Sequence, residues 1–261
     1  MGEDWPAASW PGAPGRVLTT TRAGGVSGGR YASLNLGAHV GDVNEAVARN
    51  RDLLGSAIGI DRIQWLDQVH GTRCVAVSSD TSFDTSFDMS KAVPEADAAW
   101  TADRGLGLAV LTADCLPVAF CHRDGRAIAM AHAGWRGLVA GVLSATVRSL
   151  PDDPSDYSAW IGPGIGVDAY QVGAEVVAAV SAMDDIGGPA DDFYFCSPGG
   201  SPGEGSRYQL DLAGLAAAQL AHLGVAEVLS ERICSFSDQR FYSYRRDGVT
   251  GRMASVVWLA N

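Results

Sequence analysis

Alternation of apolar and polar positions divides the chain into segments of recognisable period. VLTTTR (17–22) is a β-branched run, AGGVSGG is a glycine turn and RYASLNLG is a second extended piece. Together they predict a hairpin with a long loop. In VNEAVARNRDLLGSAIG, Val43, Val47, Leu54 and Ile58 share one helical face, and Asp42 with Glu45 makes an Asp-x-x-Glu cap ahead of them. QWLDQVHGTRCVAVSS reads as strand, turn, strand. GLGLAVLTADC and GRAIAMAHAG, largely apolar, both read as buried strands. The turn at Arg123–Gly125 between them predicts antiparallel neighbours. GWRG opens a helix through LVAGVLSATVRSL, YSAWIGPGIG is a strand ending in glycines, and GAEVVAAVSAM is another helix. Asp211 caps the helix LAGLAAAQLAHL and Gly224 ends it. AEVLSERICSFS, FYSYRR and GRMASVVWLA are the closing strands. Strands outnumber the helices interspersed among them, which predicts an α+β sandwich with antiparallel or mixed sheets.

Three stretches lack a period. Residues 1–16, rich in Pro, Gly and Trp, read as an irregular N-terminal arm ahead of one domain over 17–261. Residues 78–96 form a polar, acidic loop in which TSFD occurs twice, a variable stretch expected not to touch a site. Residues 184–206 are a loop rich in Asp, Pro, Gly and Ser.

Composition narrows the function classes. With 47% hydrophobic residues in 261, the chain buries a core without metal or disulfide staples. The net charge of −11 rules out an overall basic surface for nucleic acid, though not a local basic pocket. Five irregularly spaced cysteines do not make a disulfide framework. The start has no basic n-region or apolar core of a signal peptide, and the most apolar run is interrupted by Asp114 and Pro117. The expectation is a soluble cytoplasmic protein with reduced thiols, no nucleic-acid or membrane partner and no obligate protein partner.

The five histidines sort by position. His222 ends an amphipathic helix and suits its C-terminal dipole. His122 lies in a turn and reads as solvated, and His39 stands just ahead of a helix cap. His70 and His132 each end an apolar stretch with glycine close behind (VHG, AHAG), and Cys115 is placed in the same way. Strands of one sheet can bring these three to a common rim. Two imidazoles and a thiolate leave one position of a tetrahedral zinc open, as catalytic sites do, with Asp114 and Gln68 close by as supports. Without metal, Cys115 is a nucleophile and His132 its base. The third reading is a buried small thiol among satisfied core histidines. The residues alone leave all three open. In HAGWRG, a glycine pair ahead of a helix with Arg136 beside it makes either an anion site or an ordinary tight turn. Arg22, Arg245 and Arg246 are further candidates for a phosphate- or carboxylate-bearing ligand.

TTRAGGVS, SLNLGAHVGD, WLDQVHG, TADCLPV, AHAGWRG, IGPGIG and SYRRDGVTGRMAS occur in this order between about Thr19 and Leu259. Together they resemble the YfiH family, also labelled laccase-domain or polyphenol oxidase. The resemblance implies a single-domain layered α/β/β/α sandwich similar to the cytotoxic-necrotizing-factor thiol hydrolases. It also implies zinc on His70, Cys115 and His132, the three that spacing had picked out. Family members are described as copper-dependent polyphenol oxidases, as purine nucleoside phosphorylases that also deaminate adenosine and cleave methylthioadenosine, and as editors that remove serine from UDP-MurNAc precursors. A multicopper site needs on the order of ten histidines, so five leave room only for a mononuclear copper. The expected function is therefore zinc-dependent phosphorolysis of purine nucleosides with adenosine deamination. Cys115, His70, His132 and Asp114 are expected in the chemistry. Arg22, Asn35 and Arg136 are expected on phosphate or ribose, Gln68 beside the ligands, and Arg245 and Arg246 as further contacts. The alternatives are amide hydrolysis of a UDP-MurNAc-serine precursor, mononuclear copper oxidation, and a zinc-holding module without turnover.

Overall fold

A computed structural model describes residues 5–10, 13–78, 93–196 and 207–260. Its strands run β1 (Ala7–Ser9), β2 (Gly15–Thr19), β3 (Arg62–Gln64), β4 (Cys74–Ala76), β5 (Ala98–Thr101), β6 (Leu106–Thr112), β7 (Leu116–His122), β8 (Ile128–Ala133), β9 (Tyr157–Ile161), β10 (Gln171–Val172), β11 (Tyr194–Cys196), β12 (Tyr208–Leu210), β13 (Glu227–Ser230) and β14 (Met253–Leu259). The helices are α1 (Asn44–Ile58), α2 (Trp135–Ala140), α3 (Val142–Ser149), α4 (Ala174–Ser181), α5 (Leu212–His222) and α6 (Tyr244–Asp247).

Two mixed sheets stack face to face. One has the order β1-β2-β14-β6-β3, the other β13-β9-β7-β8-β5-β4, and β10-β12-β11 form a small third sheet. Pairing is antiparallel except β3 with β6, β4 with β5 and β13 with β9. Period-2 alternation decides which layer each side chain joins. Leu106, Leu108 and Val110 of β6 meet Ile128 and Met130 of β8 between the sheets, while Ala109 and Leu111 face outward with Leu54 of α1. On the far side, Ala129, Ala131 and Ala133 of β8 let α2 and α3 approach closely, burying Leu138, Val142 and Leu143. The order of layers is helix, sheet, sheet, helices, an α+β sandwich with mixed sheets as expected.

Several local expectations change. The apolar run 105–122 holds two strands in different sheets, so the partner of β8 across the Arg123–Gly125 turn is β7 and not β6. His122 ends β7 fully buried, accepting from the Asp124 N–H at Nδ1, with the Arg126 guanidinium 2.9 Å from Nε2, so it is not solvated. Part of the arm is the strand β1, paired with β2. The loop 184–206 contains β11 within its described part. FYSYRR is not a strand but leads into α6, which Ser243 caps by accepting from the Arg246 N–H. Residues 79–92, with both TSFD copies, lie outside the described residues.

RYASLNLG does not pair as a hairpin arm. Its backbone is tied to α1 by Asn50, which is fully buried. Asn50 Oδ1 accepts from the Val26 N–H (2.8 Å), and Nδ2 donates to Ser27 Oγ (2.9 Å) and the Asn35 carbonyl (2.8 Å). These bonds replace a strand ladder and let Leu34 and Leu36 enter the core. Helix α1 forms as predicted but starts at Val43 without a side-chain cap. Asp42 instead accepts from Ser27 Oγ, Asn35 Nδ2 and the Val43 N–H, and Val43 itself is exposed. Asn50→Ala leaves several buried polar groups unpaired at once. It is expected to lower stability by about 2–4 kcal/mol, seen as a lower urea midpoint with an unchanged slope.

Candidate active site

The site lies where the inter-sheet layer opens at one end. His132 shares the parity of Ile128 and Met130 on β8, so its ring points between the sheets and is only 4% exposed. Cys115 sits on the three-residue crossing that carries the chain from β6 in one sheet to β7 in the other. His70 comes from the loop between β3 and β4. The three residues thus meet from two sheets and a loop, not from the rim of one sheet.

Asp97, at the start of β5 and fully buried, organises two of them. Its carboxylate accepts from His132 Nδ1 at 2.8 Å and from the backbone N–H groups of Val69, His70 and Gly71 at 2.7–3.2 Å. Burial would push the Asp97 carboxyl up, but the His132 bond and the Gly71 and Val69 N–H groups bring it below its ordinary value. A carboxylate only accepts, so the Nδ1 proton is fixed on His132 and Nε2 is left to face the cavity. Asp97 directly follows the stretch 78–96 read as an acidic loop remote from any site. Its signal in the sequence was a single aspartate opening an apolar run.

His70 and Asp114 have left-handed backbone (φ 60° and 96°). Such positions cost about 1–3 kcal/mol each for non-glycine residues and persist only where surroundings hold them. Asp97 holds His70. Asp114 is held by Ser235 Oγ and the Arg245 N–H on its carboxylate, both at 2.7 Å, and by the Ile165 N–H on its carbonyl. Gln68 clips the end of β6 with two bonds to the Leu111 backbone. Gly134 supplies room: a Cβ there would stand 2.8 Å from Cys115 Sγ.

Cys115 Sγ and His70 Nε2 are 4.0 Å apart, and the three ligand atoms lie within 4.8 Å of one another. Tetrahedral zinc with bonds near 2.0–2.3 Å sets its ligands roughly 3.5 Å apart, so a small inward movement closes the set. Two imidazoles and a thiolate fit zinc and also copper. Burial opposes charge on both Cys115 and His132, but each stabilises the other's ion. The thiol falls to about 6 and the imidazole rises to about 9.

A cavity of about 320 Å³ opens over these ligands. Gln68, Asp114 and Arg245 line it. Tyr170, Tyr244, His39 and Arg252 line it too, none of which had been picked out. Four expected contacts are not among its lining residues. Asn35 is fully buried, its amide used on Gly37, Asp42 and the Arg252 N–H. Arg22 bonds the Ala32 carbonyl and stacks on Tyr242. Arg136 lies over the Trp135 ring, and Arg246 is spent on the Ser235, Phe236 and Phe241 carbonyls and Asp247.

A family model described as multi-copper polyphenol oxidoreductase laccase matches residues 16–260. The chain is 45% identical over 258 residues to a purine nucleoside phosphorylase of Pseudomonas aeruginosa, covering 98% of each. It is 42% identical over 253 residues to purine nucleoside phosphorylase YfiH of Escherichia coli, covering 96% of each. The crystal structure of a Neisseria meningitidis protein matches with a TM-score of 0.86 and 40% identity, over 99% of this chain and 100% of that one. YlmD of Geobacillus stearothermophilus matches at 0.85 and 32%, over 100% and 98%.

The chain belongs to the YfiH family. Its family model carries a multi-copper label. Among the described residues, however, His70, Cys115 and His132 are the one group of three or more His, Cys, Asp or Glu placed to hold an ion. No helix among them is long and apolar enough to cross a membrane.

Two outcomes test this YfiH site. Asp97→Asn and, separately, Gly134→Ala are expected to weaken metal binding about 10–100-fold in competition with a chelator. Gly134 has φ −79°, which alanine adopts freely, so that variant keeps its melting temperature. In metal-free protein, alkylation of Cys115 by iodoacetamide, read by peptide mass spectrometry, rises through a midpoint near pH 6, because the thiolate is lost only below that value. His132→Ala removes the opposing charge and leaves the burial, so the midpoint moves upward.

Proposed function

We propose that this protein is a purine nucleoside phosphorylase that takes adenosine, inosine or methylthioadenosine together with phosphate. The observation that carries the reading is the cavity itself, which joins the His70–Cys115–His132 floor to aromatic and cationic walls. The named phosphorylase activity of relatives at 42–45% identity supports it. In phosphorolysis a phosphate oxygen bonds C1′ of the ribose as the C1′–N bond breaks, and the base leaves with that electron pair. Tyr170 and Tyr244 line the cavity and supply aromatic surface for the base. Arg245 is held against Tyr170, 5.3 Å from the ring centre, and by the Gln171 carbonyl, so it shapes that wall. Asp97 keeps His132 oriented, and the half-buried Cys115 meets the substrate's reacting end as a thiolate.

Deamination of adenosine as a second activity needs a water acidic enough to ionise near neutral pH, which is the chemistry a zinc on these residues supplies when bound. A second reading rests on a different observation. Asp97, His132 and Cys115 stand in the order orienter, base and nucleophile of a thiol hydrolase, which suits amide cleavage of a UDP-MurNAc-serine precursor.

Incubation of the purified protein with adenosine, with and without phosphate, separates the two. Phosphate-dependent release of adenine or hypoxanthine is expected, falling about 1,000-fold in Cys115→Ala while the fold is kept. Serine released from UDP-MurNAc-serine, with no purine product, transfers the assignment to the hydrolase. Metal analysis of the same sample decides between zinc and copper.

A further inference from the structure

In a chain with 19 basic and 30 acidic residues, arginines are expected to find carboxylates. Arg252 does not. It is half-buried in the cavity wall, and among the described residues it joins no ion pair. Its Nη1 donates to the Thr250 and Gly251 carbonyls, while Nε and Nη2 have no protein partner among those residues. A desolvated guanidinium with unused donors is costly unless an anion completes it. His39 lines the same cavity at its exposed rim. The other cavity arginine, Arg245, is already engaged by Tyr170 and the Gln171 carbonyl.

The surrounding backbone is built to aim Arg252. Asn35 Oδ1 accepts from both the Gly37 N–H (3.0 Å) and the Arg252 N–H (2.9 Å). The Arg252 carbonyl in turn accepts from the Leu36 N–H. A Cβ on Gly37 would come within 2.8 Å of Arg252 Cγ, so glycine there leaves the lane through which the side chain runs. Partial burial and the neighbouring Arg252 charge hold the His39 imidazole below its ordinary value, so it meets the cavity as a neutral ring able to donate one hydrogen bond.

We propose that Arg252 and His39 form the phosphate-oxyanion subsite of this cavity, with Gly37 and Asn35 as the residues that position the guanidinium. Two unused N–H directions of a guanidinium match two oxygens of a phosphate, and an imidazole N–H takes a third. The subsite deepens the phosphorylase reading and rests on it only for the source of the phosphate, which is free orthophosphate there and the substrate's own diphosphate if the protein is a UDP-precursor hydrolase.

Calorimetric titration of the purified, metal-loaded protein with inorganic phosphate, and separately with uridine diphosphate, tests it. Arg252→Gln is expected to weaken binding about 10–100-fold, the loss of a charged hydrogen-bonding partner. His39→Asn, at the exposed rim, is expected to weaken it several-fold. Gly37→Ala has a compatible φ of −89° and keeps the guanidinium. It is expected to weaken phosphate binding while leaving the nucleoside KM unchanged, a split that mere loss of stability does not produce. Arg252-dependent binding of uridine diphosphate but not of phosphate keeps the subsite and removes the phosphorylase reading. Phosphorolysis whose phosphate KM is unmoved by Arg252→Gln removes the subsite and keeps the phosphorylase. Failure of wild type to bind either anion, or binding unchanged in Arg252→Gln, overturns the proposal and leaves Arg252 as a counter-charge to Cys115.

Discussion

One buried carboxylate holds the site together. Asp97 accepts three backbone N–H groups from the Val69–Gly71 turn and the Nδ1 proton of His132, so one side chain fixes a left-handed backbone and an imidazole tautomer together. An ionised group without exposure is tolerated only when its oxygens are satisfied, and here four donors do so. The same bonds fix the facing direction of His132 Nε2, on which both metal holding and thiolate stabilisation depend.

The second constraint is topological. The chain leaves one sheet at Thr112 and enters the other at Leu116, so the residues between must cross the end of the sandwich. Cys115 therefore stands at the mouth of the inter-sheet layer, partly open to the cavity, while Cys121, further along β7, is sealed between the sheets. Burial raises the thiols of Cys74 and Cys121 to about 11, whereas the histidines at Cys115 reverse that effect. The environment, and not the residue type, separates a reactive thiol from an inert one.

The cavity also shows how an acidic chain keeps cationic groups at one place. Several arginines outside it are neutralised locally, as Arg240 is by Asp238 and Arg246 by Asp247. Arg252 in the wall joins no ion pair among the described residues, and it is placed by the buried polar knot of Asn35, Gly37 and Asn50 that also replaces the missing hairpin. The segment 23–42 thus packs against the core and holds the Arg252 backbone with the same hydrogen bonds.

Helix α1, the buried strands, the Asp211 cap and the positions of His70, Cys115 and His132 at the ends of apolar stretches were legible in the sequence because each is local. A helical face, an apolar run, a capping aspartate or a glycine after a histidine is visible within a few residues. The seven family motifs carried the layered fold. Tertiary structure alone decided the rest. Sheet membership separated β6 from β7 within one largely apolar run. Asn35 looked like a ligand contact but spends its amide on backbone groups, and Arg252 lay unmarked just ahead of β14. Asp97 follows a polar loop and yet holds His132 across 35 positions of chain. Hydrogen bonds and charges of this kind act across space between residues distant in sequence, and period and spacing along the chain carry no record of them.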